Sequence, residues 1–144
     1  MDPLNTAHAR TGKRKQTVVF VRHGIARHNL IDPQTGKPPD LTDKNLVDPP
    51  LVRDGKFQAI EMGDRLKTWW SANQTRQIEL VISSPLTRCL QTATLAFLPG
   101  DRYANEISEP RMTCVESIRE AYGMHYPDQR RKKSFLMSQW PSIH

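Results

Sequence analysis

Only two cysteines, Cys89 and Cys114, occur in 144 residues. They make neither a disulfide framework nor, with the five histidines, a metal-binding pattern, so a reduced compartment is expected. No apolar run approaches the length of a membrane span, and the N-terminus lacks the apolar core of a signal peptide. Aromatic residues are 7% of the chain and hydrophobic residues 37%, with mean hydropathy -0.64. These absences exclude a secreted disulfide scaffold and a membrane protein; they point to a cytoplasmic location, with the nucleus left open. No metal or cofactor is called for.

Acidic residues are the minority: 15 against 21 Lys and Arg, for a net charge of +6. The excess gathers at Arg10, Lys13, Arg14 and Lys15, and again at Arg130, Arg131, Lys132 and Lys133. Such clusters can bind phosphate backbones, but neither a zinc-finger pattern nor an RNA-recognition aromatic motif accompanies them. Nucleic acid is not an expected partner. Residues 1–16 are expected to form a flexible basic tail, and residues 17–144 the single domain.

What is present begins at Val18, Val19, Phe20 and Val21, an apolar, mostly β-branched run read as a short buried strand. It breaks into Arg22-His23-Gly24 at the end where open α/β sheets bind ligands. A histidine there can attack phosphorus while the arginine offers a planar fork of donors to phosphoryl oxygens. Gly24 gives a tight turn and close approach to an anion. An ordinary basic loop accounts for these three residues equally well. A second short apolar strand, in Glu79-Leu80-Val81-Ile82-Ser83-Ser84-Pro85, ends in a polar turn and leads into a helix expected over 85–97, capped by Ser83 or Ser84. Arg88 falls one turn into that helix, where charge and the positive helix end favour a phosphate. The long segment 31–50 is too irregular for a helix and is expected to lie over the site. A further helix is expected over 54–70, packing Phe57, Ile60, Met62, Leu66 and Trp69 into the core.

Arg22-His23-Gly24 with Asn29, and Ser83-Ser84-Pro85-Leu86-x-Arg88-x-x-Gln91-Thr92-Ala93, resemble the two N-terminal signatures of the histidine phosphatase superfamily, in its phosphoglycerate mutase-like branch. Asp48-Pro49-Pro50-Leu51 into Gly55, and Ser117-Ile118-Arg119-Glu120, agree more weakly; Val52 stands where threonine is usual. The resemblance covers roughly residues 17 to 130. It implies a three-layer α/β/α fold with a mainly parallel sheet, and a phosphomonoester phosphatase working through phosphohistidine. His23 would then be the nucleophile. Arg22 and Arg88 would clamp the phosphoryl oxygens, Glu120 would protonate the leaving group, and Asn29 would bind phosphate or substrate. The implied partner is a small phosphorylated substrate. Glu116, one helical turn from Glu120, competes for the acid role.

One element of the family pattern is missing. A second histidine, followed by glycine on a later strand, completes the family's pocket. Downstream of Arg88 only His125 and His144 occur, neither preceded by an apolar run nor followed by glycine. The expectation is a fold incomplete at its C-terminus. The alternative function is therefore a truncated or inactive member that binds phosphate without efficient turnover.

Overall fold

The computed structural model describes residues 16–73, 78–98 and 110–143. The expected basic tail, apart from residue 16, lies outside them, as does His144. The fold is α/β: helix α1 (Arg53–Asn73), strand β1 (Leu80–Ser83), helix α2 (Thr87–Phe97), strand β2 (Arg111–Cys114) and helix α3 (Lys133–Gln139). The strands pair in parallel, with Leu80 opposite Arg111 and Ser83 opposite Cys114. Helix α2 covers one sheet face, where Val81, Ala93 and Met112 form a buried cluster joined by Ile78, Phe97, Leu98 and Ile143. On β1's other face Leu80 and Ile82 remain exposed. Among the described residues, no helix is long and apolar enough to cross a membrane.

Residues 18–21 correct the first expectation. They form no strand, and Phe20 is 93% exposed. A strand requires a neighbouring ladder for its backbone groups. Among the described residues the only sheet is the β1–β2 pair, so the β-branched run finds no partner.

Helix α1 carries a second correction. Its buried positions are Gly55, Ala59 and Gly63, while Phe57 and Trp69 are exposed. Helices pack closest where small residues let their backbones approach, and spacing of four places these three on one face. A Cβ on Gly63 would stand 2.5 Å from the Ala96 carbonyl oxygen of α2. Of the bulky apolar set, Ile60, Met62 and Leu66 are half-buried, whereas Trp69 is exposed and Phe57 sits under the Arg53 guanidinium, 5.6 Å from its ring centroid.

The start of α2 differs as well. Thr87 is its first helical residue, and Leu86, at the cap position, has no capping side chain. The cap arrives from the remote Asp48, whose Oδ1 accepts from the Thr87 N–H at 2.7 Å and whose Oδ2 accepts from the Thr87 hydroxyl at 2.7 Å. Ser84 does less, accepting from the Leu86 N–H at 3.4 Å. Asp48 is 1% exposed and holds φ at 46°, a left-handed conformation that aspartate tolerates better than most residues.

Candidate active site

The segment carrying His23 is fixed by its backbone. Ile25 accepts through its carbonyl from the Val52 N–H at 3.0 Å, and Arg27 donates to the Pro50 carbonyl at 3.2 Å. Ala26 bridges Leu51 antiparallel and is fully buried. Side chains of the two helices complete the frame. Gln58 Oε1 accepts from the Ile25 N–H at 3.0 Å, and Gln91 Oε1 from the Leu51 N–H at 2.8 Å. Thr92 Oγ1 accepts from the Gly24 N–H at 3.1 Å while donating to the Arg88 carbonyl at 2.8 Å. Thus Gln91 and Thr92, three and four residues beyond Arg88, tie the His23 loop to α2.

Gly24 serves a different purpose from the expected turn. A Cβ on it would meet the Gly55 carbonyl oxygen at 2.3 Å, and one on Gly55 would meet the Ile25 carbonyl oxygen at 2.0 Å. The loop crosses the first turn of α1 backbone to backbone, and the glycine pair makes that crossing possible.

His23 is half-buried, and its Nδ1 lies 2.7 Å from the Gly24 carbonyl oxygen. A carbonyl only accepts, so Nδ1 carries the proton and Nε2 keeps its lone pair. That lone pair receives Arg88 Nε–H at 3.2 Å. Burial chiefly, then the Arg88 and Arg22 charges, push the His23 pKa below its ordinary value, opposed by the bond to Gly24. The resting imidazole is neutral, its Nε2 lone pair held by Arg88 Nε–H.

Arg88 is completely buried and uses every side of its guanidinium. Besides His23, it donates from Nη1 to the Pro127 carbonyl at 2.7 Å, and from Nη2 to Glu120 Oε2 at 2.6 Å and Asp128 Oδ1 at 3.0 Å. Of the two competing carboxylates, Glu120 reaches Arg88; Glu116 pairs instead with Arg119 and Arg130, each at 2.7 Å. Glu120 follows a 3-10 turn, Glu116–Ile118, and does not lie on an α-helix; its side chain is 64% exposed. Arg22 is exposed and acts on His23 through its charge. Asn29 uses its carbonyl oxygen to accept from the Ala26 N–H at 3.0 Å, fixing the 3-10 turn Arg27–Asn29. His125 is exposed.

Three residues at the site lay outside the sequence-based set. Asp128, on the 3-10 turn Tyr126–Asp128, is held near Arg88 because Tyr126 N–H donates to the Leu41 carbonyl at 3.0 Å. Nothing local to Asp128 marks it. Asp48 belonged to a recognised stretch, but its side-chain role is long-range. His28 lay inside the first signature; its ring centroid is 5.8 Å from that of His23. Burial first, then the Arg88 charge, push its pKa down to about 4. The basic cluster is used internally in part: Arg131 N–H donates to Asp48 Oδ2 at 3.2 Å and its Nη2 to the Val47 carbonyl at 3.1 Å.

Both depressed histidines have one consequence for stability. In the unfolded chain they protonate near pH 6.5, whereas in the folded chain they stay neutral to lower pH, His28 to about 4. Between these values the unfolded state binds more protons, so stability is lost as pH falls from about 6.5 toward about 4 and is complete above it. Urea midpoints at pH 7.5, 6 and 5 should fall in that order, and less steeply in His28→Phe; a flat series contradicts this account.

A parallel β-α-β unit brings the His23 imidazole and the buried Arg88 guanidinium together at the N-terminal end of α2, where fixed donors and the positive helix end favour an anion. The model of the Histidine phosphatase superfamily (branch 1) matches residues 18–100, and the chain belongs to that family. It is similar to phosphoglycerate mutase-like protein 1 of Arabidopsis thaliana, 28% identical over 90% of this chain and 51% of that protein. It is also similar to a probable phosphoglycerate mutase of Arthroderma benhamiae (strain ATCC MYA-4681 / CBS 112371), 27% identical over 94% of this chain and 42% of that protein. The chain thus spans about half or less of the length of these relatives.

Proposed function

We propose that the chain hydrolyses small phosphomonoesters through a phosphohistidine at His23. The observation that carries this reading is the oriented, neutral imidazole: Nδ1–H is committed to Gly24, and Nε2 faces Arg88. The Nε2 lone pair attacks phosphorus, the ester P–O bond breaks, and the departing oxygen takes a proton from the Glu120 carboxyl. Water then attacks the phosphohistidine, giving its proton to Glu120 as the N–P bond breaks and phosphate leaves. Arg22 and Arg88 stabilise the phosphoryl oxygens, and Asn29 contacts phosphate or substrate.

In the free chain, Arg88's donors are filled by His23 Nε2, Glu120, Asp128 and the Pro127 carbonyl, so the nucleophile's lone pair is also released only when Arg88 turns to the phosphoryl group. An incoming phosphoryl group must take over some of these, which releases Glu120 from Arg88; the carboxylate then takes the proton of the phosphomonoester monoanion and returns it to the departing oxygen. The same occupancy favours a second reading, phosphate binding without efficient turnover. Rapid quench with a radiolabelled aryl phosphate separates the two. Turnover should leave an acid-labile, base-stable label on His23 that is lost in His23→Ala. Label retained in that variant overturns the nucleophile assignment, and phosphate binding with no label supports the second reading.

A further inference from the structure

His28 lies beside His23, with ring centroids 5.8 Å apart, and the proposed mechanism leaves it unused. Its 3-10 turn is rigid: Asn29 N–H donates to the Ala26 carbonyl at 2.8 Å, and Ala26 N–H returns a bond to Asn29 Oδ1 at 3.0 Å. The ring is tilted 53° to that of His23. Its Nδ1 is buried and has no hydrogen-bond partner among the described residues, whereas Nε2 is not among the buried, unpartnered atoms. A buried N–H without a partner is rarer in proteins than a buried acceptor without one. The less costly tautomer therefore keeps the lone pair on Nδ1 and the proton on Nε2, so that the neutral ring is a donor at its open edge. The neighbouring Arg88 and Arg22 charges oppose a second proton.

We propose that His28 is a further catalytic residue of this site, donating from Nε2–H to an oxygen of the phosphoryl group carried by His23. The ring centroids are 5.8 Å apart, close enough for an oxygen of a phosphoryl group on His23 to reach the His28 ring at a hydrogen-bond distance of about 2.8 Å. A neutral donor suits this position, since a third cation beside Arg22 and Arg88 would raise the cost of the empty site. The inference rests on the phosphohistidine reading and deepens it by naming an oxygen ligand outside the two arginines.

The test uses the whole 144-residue chain with histidine side chains labelled in 15N, titrated with inorganic phosphate at pH 7.5. The expected result is an unbound His28 protonated at Nε2, whose Nε2 resonance moves together with that of His23 as phosphate binds. Movement of His23 alone overturns the role of His28 and leaves the phosphate site standing. Absence of movement at both rings overturns the site reading and this inference with it. Variants give the second arm. His28→Phe, which keeps the ring but no donor, should weaken phosphate binding on the order of 10-fold. His28→Gln, which restores an N–H donor, should bind within about 3-fold of the parent. Equal weakening in both, or in neither, assigns His28 to packing.

Discussion

Arg88→Ala is expected to destabilise the fold by about 3–5 kcal/mol and to lower kcat/KM by on the order of 100- to 1000-fold. The guanidinium is fully buried and gives donors to four different residues: His23, Glu120, Pro127 and Asp128. Truncation leaves the Asp128 side chain, which is only 15% exposed, without its countercharge, and strands the Pro127 carbonyl. Glu120, at 64% exposure, can return to water and adds little to the loss. Arg88→Lys should recover part of the stability but little of the activity. A single ammonium has no planar fork with which to meet a carbonyl, a carboxylate and an imidazole together. Urea unfolding and kcat/KM on an aryl phosphate, measured for both variants, check the two halves separately. An unchanged unfolding midpoint in Arg88→Ala contradicts the structural half; near-parent kcat/KM contradicts the other.

The dual role of Arg88 explains why the second signature is read so readily from sequence. Gln91 and Thr92 reach back to the Leu51 and Gly24 backbones, so one helical face carries both the charge and the struts that aim His23 at it. Such local spacing is visible in a chain read left to right. So are α2 and β1 as elements, although the cap expected from Ser83 or Ser84 comes from Asp48 and Leu80 and Ile82 of β1 stay exposed.

The features that escaped depend on distant segments. The run at 18–21 has strand-forming residues but no ladder beside it, and β propensity is expressed only through neighbours. In α1 the bulky residues drew attention, although Gly55, Ala59 and Gly63 carried the signal of a close helix contact. The sequence around Gly24 suggests only a turn beside an anion, whereas its close partner is Gly55, at the start of the helix beneath it. Asp128 meets Arg88 across 40 positions of sequence, and no local pattern encodes that meeting. Glu120 could be preferred to Glu116 only once Arg119 and Arg130 were seen to claim the latter.

Asp48 joins three segments that sequence separates, and Asp48→Ala is expected to cost about 2–4 kcal/mol. The carboxylate accepts from both the N–H and the hydroxyl of Thr87 and from the backbone of Arg131. It lies at the N-terminus of α2, where a negative charge also favours the helix dipole. Alanine removes all three bonds, leaves the buried Thr87 N–H unpaired, and must hold a φ of 46° that alanine disfavours. Asp48→Gly isolates the last contribution: it relieves the backbone but loses the cap, so it should be less destabilising than alanine by about 1 kcal/mol. Asp48→Asn keeps one acceptor and the tolerance of the left-handed region, and should be the mildest of the three. The predicted order of unfolding midpoints is Asp, Asn, Gly, Ala, from most to least stable. Because Arg88 follows Thr87 directly, loosening this cap should also weaken phosphate binding in the same order. A stable Asp48→Ala would mean that Ser84 or water caps α2 well enough alone, and that the tie from Asp48 to Arg131 contributes little.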